Sequence, residues 1–284
     1  MLKSIFITAY IALAIIVAVN SGRALLNQEF WLANIGLLLT TVPVGFLLVR
    51  LMILKNRSLS DSALKMPFIV ALVGFLLTFY SWLLEGAPVD MATVAGVMLI
   101  SCVFYIYWYS RLDRSASVLV AGKSLPLITL EDTDGLVVSS DTLKGTPSVL
   151  IFYRGNWCPL CMAQVKEMAS SYNELKEMGA RVLLVSPQPQ SYSVGLAKKF
   201  GTDGLEFMRD AGSAAAKIMG IDARFGTPMG VQALGYDSHT VLPTVVIIDA
   251  SGTVIWIHET DNYRVRPEPK TYLKVLKDAG IKAV

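Results

Sequence analysis

The sequence contains few charged residues. Asp, Glu, Lys and Arg make up only 17% of its 284 residues, whereas 54% are hydrophobic. A typical soluble domain carries about 25% charged residues. The shortage is concentrated in four stretches nearly free of charge, at about residues 4–22, 30–50, 66–84 and 91–110. Each is long enough to cross about 30 Å of hydrocarbon as a helix. The sequence therefore predicts an all-α transmembrane region over residues 1–110, which excludes a wholly water-soluble protein.

Histidine and cysteine are also scarce, with two and three residues in the whole chain. A structural zinc site needs four ligands, and His239 and His258 form no paired motif beside Cys158 and Cys161. Cys102 lies in the fourth apolar stretch, and the other three stretches contain no cysteine to pair with it. No predicted strand is followed by G-x-G-x-x-G, the fingerprint of dinucleotide binding. We therefore expect no metal and no bound cofactor, and we expect electrons to arrive from another protein.

The loops between the apolar stretches differ in their content of Lys and Arg. Basic residues at 50–65 and 111–114 fall on one side of the membrane, whereas the turn at 85–90 on the other side is acidic. Loops that stay in the cytoplasm are rich in Lys and Arg. A multi-pass protein of a bacterial inner membrane is predicted, with both termini cytoplasmic. Because this asymmetry accounts for much of the basic charge, the net charge of +3 indicates no nucleic-acid partner. The first stretch also fits a cleaved signal peptide, which would leave this orientation unchanged.

A polar connector at 111–123 precedes residues 124–284, whose pattern is typical of a water-soluble α/β domain. Short apolar runs rich in β-branched residues predict strands. The predicted strands are Ser148–Tyr153, Arg181–Val185, Thr244–Asp249 and Val254–Ile257. Amphipathic patterns predict helices at Pro159–Met178, Tyr192–Phe200, Ala214–Met219 and Pro269–Ala279. Strand and helix alternate before a final hairpin, so the predicted fold class is an α/β sandwich behind four transmembrane helices.

The stretch "FYRGNWCPLCMAQV" places Cys158 and Cys161 at the turn from a predicted strand to a predicted helix. Pro159 suits the first helical turn, and Cys161 belongs to the apolar stripe of that helix. The pattern therefore predicts a shielded Cys161 and a solvent-exposed Cys158, whose thiolate the helix N-terminus favours. An exposed thiolate beside a shielded thiol is the arrangement that disulfide exchange requires.

Three further residues of this stretch are predicted to shape the site. Arg154 is expected to stabilise a nearby thiolate by its charge. Trp157 is expected to offer an apolar docking surface, although a packing role is equally compatible with the sequence. Pro159, as part of the dipeptide between the cysteines, is expected to tune the reduction potential.

From about Gly122 onward, "LPLITLEDTDGLVVSSDTLKGTPSVLIFYRGNWCPLC" and "LPTVVIIDASGTVIW" resemble the redoxin group of thioredoxin-fold proteins. The resemblance is strongest to peroxiredoxin-like AhpC/TSA relatives that carry C-x-x-C, and it implies a thioredoxin-like fold. It places the family's peroxidatic cysteine at Cys161, its threonine at Cys158, its proline at Arg154 and an arginine at Pro243. Pro243 instead matches the cis proline that thioredoxin-like oxidoreductases keep beside their C-x-x-C. We therefore expect a cis Leu242–Pro243 bond next to the cysteines.

Three functions remain open at this point. The first is a membrane-tethered thiol-disulfide oxidoreductase in which Cys158 is the nucleophile and Cys161 the resolving thiol. The second is a thiol peroxidase in which a hydroperoxide oxidises Cys161 and Cys158 closes the disulfide. The third is a redox sensor whose disulfide is read by the membrane helices. The implied partners are the lipid bilayer, a protein disulfide or hydroperoxide, and a reductant of the thioredoxin or glutathione type.

Overall fold

The computed structural model describes residues 1–53, 65–200 and 204–281. The chain divides into two compact units, a helical one that ends at Arg111 and an α/β one that begins at Leu112. Lys55 and Arg57, on which the predicted orientation partly depends, lie outside the described residues.

The helical unit consists of apolar helices with few charged residues. Its helices are α1 (Leu2–Leu26), α2 (Trp31–Ile53), α3 (Lys65–Leu84) and α4 (Val89–Phe104), which continues through Tyr109 as a π-helical turn. Three segments within the described residues, Leu2–Leu26, Lys65–Leu84 and Val89–Tyr109, are long and apolar enough to cross a membrane. The apolar segment Trp31–Gly45 of α2 is shorter than these three. The structure thus provides three candidate spans, and the predicted fourth stays a prediction.

Helices α2 and α3 approach each other closely where both carry glycine. A Cβ added to Gly36 would lie 2.6 Å from the Gly74 carbonyl oxygen, and one added to Gly74 would lie 2.5 Å from the Gly36 oxygen. The Thr78 hydroxyl donates to the Ala33 carbonyl across this contact, at 3.2 Å. Small residues allow apolar helices to pack backbone against backbone where lipid supplies no hydrophobic driving force.

The α/β unit contains nine described strands and four helices. The strands are β1 (Thr129–Glu131), β2 (Val137–Ser139), β3 (Ser148–Phe152), β4 (Arg181–Ser186), β5 (Leu205–Arg209), β6 (Asp222–Ala223), β7 (Thr240–Val241), β8 (Thr244–Ile248) and β9 (Val254–Glu259). The helices are α5 (Pro159–Glu177), α6 (Gln190–Phe200), α7 (Ala214–Ile218) and α8 (Pro269–Asp278). Each strand and helix predicted for this unit is confirmed to within about two residues at its ends.

Seven of these strands form one mixed sheet in the order β2-β1-β5-β4-β3-β8-β9, and β6 pairs with β7. Strands β3, β4 and β5 are parallel, whereas β8 runs antiparallel to β3, and β9 runs antiparallel to β8. All residues of β3 and β8 are buried, as expected for strands covered on both faces. Helix α5 packs against β4 and α8. The end of β3 and the start of β8 are paired, Phe152 with Thr244, which brings the two predicted site segments together.

The segment 111–123, predicted as a polar connector, packs onto the α/β unit from Leu112 onward. The Leu112 amide donates to the Asp261 carbonyl at 2.6 Å, and the Val118 amide donates to the Met219 carbonyl at 3.2 Å. Leu119 is buried in the core that contains Leu150. The α/β unit therefore begins earlier than the change in composition at residue 124 indicates.

Candidate active site

The turn between β3 and α5 holds the two cysteines through a backbone conformation that requires glycine. Gly155 has φ +146°, and a Cβ there would lie 2.8 Å from Nε1 of Trp157. The Gly155 carbonyl accepts from the Cys158 amide at 3.2 Å. The next residue, Asn156, is held by its amide, which donates to Oε1 of Gln188 at 2.9 Å. The turn is thus tied both to itself and to the loop that follows β4.

Cys158 and Cys161 occupy the start of α5, as predicted, but the predicted difference in exposure is wrong. Cys158 is the N-cap residue and Pro159 follows in the first turn. Cys158 is 3% exposed and Cys161 0% exposed, whereas the intervening Pro159 is exposed. The sequence pattern failed here because it marks only which side of the helix is apolar. The tertiary packing around the helix start buries the N-cap residue as well.

The two buried thiols differ in acidity. Burial by itself raises the pKa of Cys161, but its neighbours outweigh burial and lower that pKa to about 6. These neighbours are the Cys158 thiol, which is hydrogen-bonded to Cys161, the charge of Arg266, and the backbone N–H and charge of Arg154. The pKa of Cys158 is raised well above its ordinary value, because its proton is held in the hydrogen bond to Cys161 and because it is buried. The structure therefore favours a thiolate at Cys161, not at Cys158.

Arg154 lies beside the cysteines in an aromatic setting. Its guanidinium carbon is 4.8 Å from the centre of the Trp157 ring and 5.6 Å from that of Tyr263. One guanidinium nitrogen donates to the Gly226 carbonyl, and the Arg154 carbonyl accepts from the Thr240 hydroxyl at 2.8 Å. Arg154 is thus held in place where its charge lowers the pKa of both thiols. Trp157 is half-buried and packs on this arginine.

Pro243 lies at the start of β8, but the predicted cis bond is wrong. No peptide bond within the described ranges is cis, so Leu242–Pro243 is trans. The flanking hydrogen bonds hold this extended chain: the Leu242 amide donates to the Ile221 carbonyl at 2.7 Å, and the Pro243 carbonyl accepts from Arg114 at 2.6 Å. A trans proline is accommodated before a strand because no ladder bond needs its missing N–H. Contact of Pro243 with the cysteines stays a prediction.

Arg266 is a residue of this site that the sequence analysis missed. It is 2% exposed, in the segment between β9 and α8, and its charge acts on both Cys158 and Cys161. The signal in the sequence was the pair Arg264 and Arg266 two residues apart, just before the last helix. Both side chains are buried, which is rare for arginine.

Comparison with known proteins places the α/β unit in a family. Residues 120–276 match the Redoxin family, more than half of the chain. Peroxiredoxin Q of Populus jackii is 32% identical over 125 residues, 44% of this chain and 58% of that protein. Peroxiredoxin Q of Triticum aestivum is 30% identical over 187 residues, 64% of this chain and 79% of that protein. The thiol-disulfide oxidoreductase ResA of Bacillus subtilis is 24% identical over 161 residues, 56% of this chain and 79% of that protein.

Solved structures resemble the same part of the chain. Peroxidoxin BcpB from Mycobacterium tuberculosis aligns with a TM-score of 0.46 and 20% identity, covering 56% of this chain and 96% of that one. A thiol peroxidase from Chromobacterium violaceum aligns with a TM-score of 0.47 and 14% identity, covering 60% of this chain and 92% of that one. From the match over residues 120–276, the chain belongs to the Redoxin family.

Proposed function

We propose that the chain is a membrane-attached, thiol-dependent oxidoreductase that reduces hydroperoxides, with Cys161 as the attacking thiolate and Cys158 as the resolving thiol. The observation that carries this proposal is the lowered pKa of Cys161, to about 6, beside a Cys158 thiol that keeps its proton. The thiolate is the nucleophilic form of cysteine. At neutral pH Cys161 is therefore the sulfur prepared to attack.

Burial of both sulfur atoms supports a small substrate. A protein disulfide must bring its own sulfur in line with the attacking thiolate, which requires an exposed thiol at the protein surface. Cys158 is 3% exposed and Cys161 is 0% exposed. A hydroperoxide presents a single small O–O group and needs only a narrow opening.

The reaction follows from the positions of the two thiols. The Cys161 thiolate attacks one peroxide oxygen, so that an S–O bond forms and the O–O bond breaks. Sulfur loses two electrons, the two oxygens gain them, and the leaving hydroxide or alkoxide takes up a proton. The Cys158 thiol then loses its proton, and the resulting thiolate attacks the sulfenic acid at Cys161. An S–S bond forms, and the hydroxide that leaves takes up a proton and becomes water. A dithiol reductant of the thioredoxin type, or two molecules of glutathione, then restores the two thiols.

A second candidate function, thiol-disulfide exchange, is favoured by the C-x-x-C spacing and by the likeness to ResA. In that function Cys158 attacks a substrate disulfide, which requires this buried thiol to become exposed, and Cys161 resolves the mixed disulfide. The raised pKa of Cys158 makes it the weaker nucleophile of the pair at neutral pH. For this reason we rank it below peroxide reduction.

The two functions assign opposite roles to the cysteines, and single substitutions separate them. With the reduced protein and hydrogen peroxide in a stopped-flow instrument, Cys158→Ser should still form sulfenic acid rapidly at Cys161. Cys161→Ser should lose peroxide consumption, and Cys102→Ala serves as the control that retains it. If Cys161→Ser instead accumulates mixed disulfides through Cys158 with a model protein disulfide, and the wild-type protein reacts with peroxide no faster than a simple thiol, exchange is the function.

Membrane attachment forms the second part of the proposal. Three helices among the described residues have the length and composition of membrane spans, and the charge pattern of the full sequence favours four spans with the redoxin unit in the cytoplasm. A cytoplasmic unit would be kept reduced by thioredoxin or glutathione. A green fluorescent protein fused after Val284 should be fluorescent, and an alkaline phosphatase fused there should be inactive. An active phosphatase would contradict the cytoplasmic side.

A further inference from the structure

A cavity of about 350 Å³ lies beside the paired strands β6 and β7. Five side chains line it: Lys217 from α7, Asp222 from β6, Arg224 and Phe225 from the turn after β6, and His239 from the turn before β7. Pockets that bind small organic molecules have volumes of about 300–1,000 Å³. The cavity therefore has room for a small ligand.

The charged groups of this cavity are available to a ligand. Arg224 and Asp222 enter no ion pair in the part of the chain that the structure describes. The Lys217 ammonium donates to the Gly212 carbonyl at 2.8 Å, which uses one of its three N–H groups. The cavity thus presents two cations and one carboxylate, a pattern that fits a ligand with two carboxylates and one ammonium group.

The uncharged part of the wall is held in a strained conformation. Phe225 has φ +51°, a region that bulky residues rarely adopt. Its amide donates to Nδ1 of His239 at 3.2 Å, and the centres of the two rings are 5.2 Å apart. Because Nδ1 accepts, the neutral imidazole carries its proton on Nε2 and can donate from there. Strained residues held by their surroundings cluster at ligand sites.

Hydrogen bonds join the walls of the cavity to the turn that holds the cysteines. The Arg154 backbone N–H is hydrogen-bonded to Cys161. The Arg154 guanidinium donates to the Gly226 carbonyl, and the Arg154 carbonyl accepts from the Thr240 hydroxyl at 2.8 Å. Gly226 and Thr240 each directly follow a residue that lines the cavity. The cavity and the cysteine turn are therefore connected through the same two short segments.

We propose that this cavity binds a small peptide thiol of the glutathione class, which reduces the Cys158–Cys161 disulfide. The inference rests on the proposed peroxidase function, which leaves this disulfide after each turnover. Lys217 and Arg224 would bind the two carboxylates of the peptide, and Asp222 would bind its ammonium group. A tripeptide extends over about 10 Å, so a ligand held by its charged ends can present its thiol outside the cavity.

Burial of both sulfur atoms also favours a small reductant. Cys158 is 3% exposed and Cys161 is 0% exposed, so a protein dithiol has little sulfur surface to attack. The glutathione thiolate attacks the Cys158 sulfur, so that a mixed disulfide forms and the Cys158–Cys161 bond breaks. The electron pair of that bond stays on Cys161, which is the better leaving group because its pKa is lowered to about 6.

A second glutathione completes the reduction. Its thiolate attacks the glutathione sulfur of the mixed disulfide, and oxidised glutathione leaves. Cys158 is released as a thiolate and takes up a proton, in keeping with its raised pKa. Two glutathione molecules have then given two electrons to the protein disulfide, and both of its cysteines are reduced again.

The test measures reduction of the disulfide in the full chain, held in detergent and carrying Cys102→Ala so that only the thiols of the site are counted. The disulfide is formed with diamide instead of peroxide, which keeps the measurement independent of the peroxide reaction. Glutathione and uncharged 2-mercaptoethanol are then added in separate experiments, and a maleimide gel shift after acid quenching counts the thiols that appear. The ratio of the two rates reports recognition of the charged groups, since a change in the disulfide itself would alter both rates.

The double variant Lys217→Gln, Arg224→Gln should lower this ratio about tenfold, because each exposed ion pair contributes a factor of several at most. Lys277→Gln removes an exposed charge from α8, outside the cavity, and should keep the wild-type ratio. S-Methylglutathione has the charges of glutathione without a free thiol. It should compete with glutathione in the wild-type protein, a measurement that needs no cavity variant.

The outcomes separate this site from the peroxidase function. A lowered ratio in the double variant, together with competition by S-methylglutathione, supports the site. An unchanged ratio, or no competition, overturns it and leaves the peroxidase function standing. Faster reduction by micromolar reduced thioredoxin than by millimolar glutathione also overturns the assignment, because a protein dithiol is then the reductant. A lowered ratio in a protein that reacts with peroxide no faster than a simple thiol overturns the peroxidase function alone.

Discussion

The two units of this chain place their hydrophobic residues differently. In the helical unit, most residues of the apolar segments are not buried: the buried share is 28% in α1, 28% in α3 and 33% in the α4 segment. Large side chains such as Ile15, Leu76 and Ile100 are exposed. In the α/β unit the strands β3 and β8 are buried along their whole length. Apolar residues exposed on helices suit a lipid solvent, whereas apolar residues gathered into a sheet core suit water.

The same contrast holds for cysteine. Cys102 in α4 and Cys161 in α5 are both 0% exposed. Cys161 lies near Arg154, Arg266 and a backbone N–H, which lower its pKa in spite of burial, while Cys102 lies in a helix with few charged residues. Burial alone therefore does not decide the reactivity of a cysteine, because the polar groups buried with it decide which form is stable.

The largest effect that we expect concerns these two cysteines. The thiolate is the reactive form, so a pKa lowered to about 6 should make the alkylation rate of Cys161 flat above about pH 7 and tenfold lower for each pH unit below the pKa. At pH 6 the thiolate fraction of Cys161 should exceed that of an ordinary thiol with a pKa of about 8.5 by about 100-fold. Cys102→Ala should leave this curve unchanged. A midpoint of this pH–rate curve near pH 8.5 would show that Cys161 is no more acidic than an ordinary thiol, and the contrast with Cys102 would be lost.

The next effect tests the packing of the helical unit. Gly36→Leu should destabilise the contact of α2 with α3 by about 3 kcal/mol, because the new side chain meets the Gly74 backbone and the Thr78 side chain. Gly22→Leu in α1, where a Cβ meets nothing within 4 Å, is the matched control. Loss of helical circular dichroism on heating in detergent measures both variants. Equal stability of the two would show that close glycine packing does not hold these helices.

A glycine of the α/β unit offers a comparable test at the active site. Gly155→Ala should cost about 2 kcal/mol of unfolding free energy, because it combines a positive φ with a clash against Trp157. It should also slow the peroxide reaction, since the turn begins next to Arg154, whose backbone N–H and charge lower the pKa of Cys161. Gly135 also has a positive φ, of +84°, but a Cβ there would meet nothing within 4 Å. Gly135→Ala should therefore leave the peroxide rate unchanged. If both variants react alike, the turn does not position the thiols.

The smallest effect belongs to the surface of the sheet. Arg209 and Glu131 form a half-exposed ion pair at 2.9 Å between β5 and β1. A double-mutant cycle with Arg209→Gln and Glu131→Gln should give a coupling of about 0.2–1 kcal/mol, which falls as salt is added. A coupling that salt does not change would show that the pair acts as a buried one.

The regular elements of the α/β unit were predictable where local pattern and burial agree. The runs at Ser148–Phe152 and Thr244–Ile248 are β-branched, continuous and buried on both faces, and the structure confirms them as strands. Strand β5 (Leu205–Arg209) was missed, because Glu206 and Arg209 interrupt its apolar pattern. Their charges are met by Arg181 and Glu131 on the neighbouring strands β4 and β1, which a local pattern does not show.

The sequence by itself determined the division into an apolar helical part and an α/β part, and it placed two thiols three residues apart at a helix start. These features follow from composition and from the helical period, which are local properties of the chain. Only the tertiary structure decided which sulfur is the thiolate. That choice depends on burial of both thiols and on Arg266, which comes from a segment far along the chain. Electrostatic interactions act through space, so their strength follows from the fold and not from spacing in the sequence.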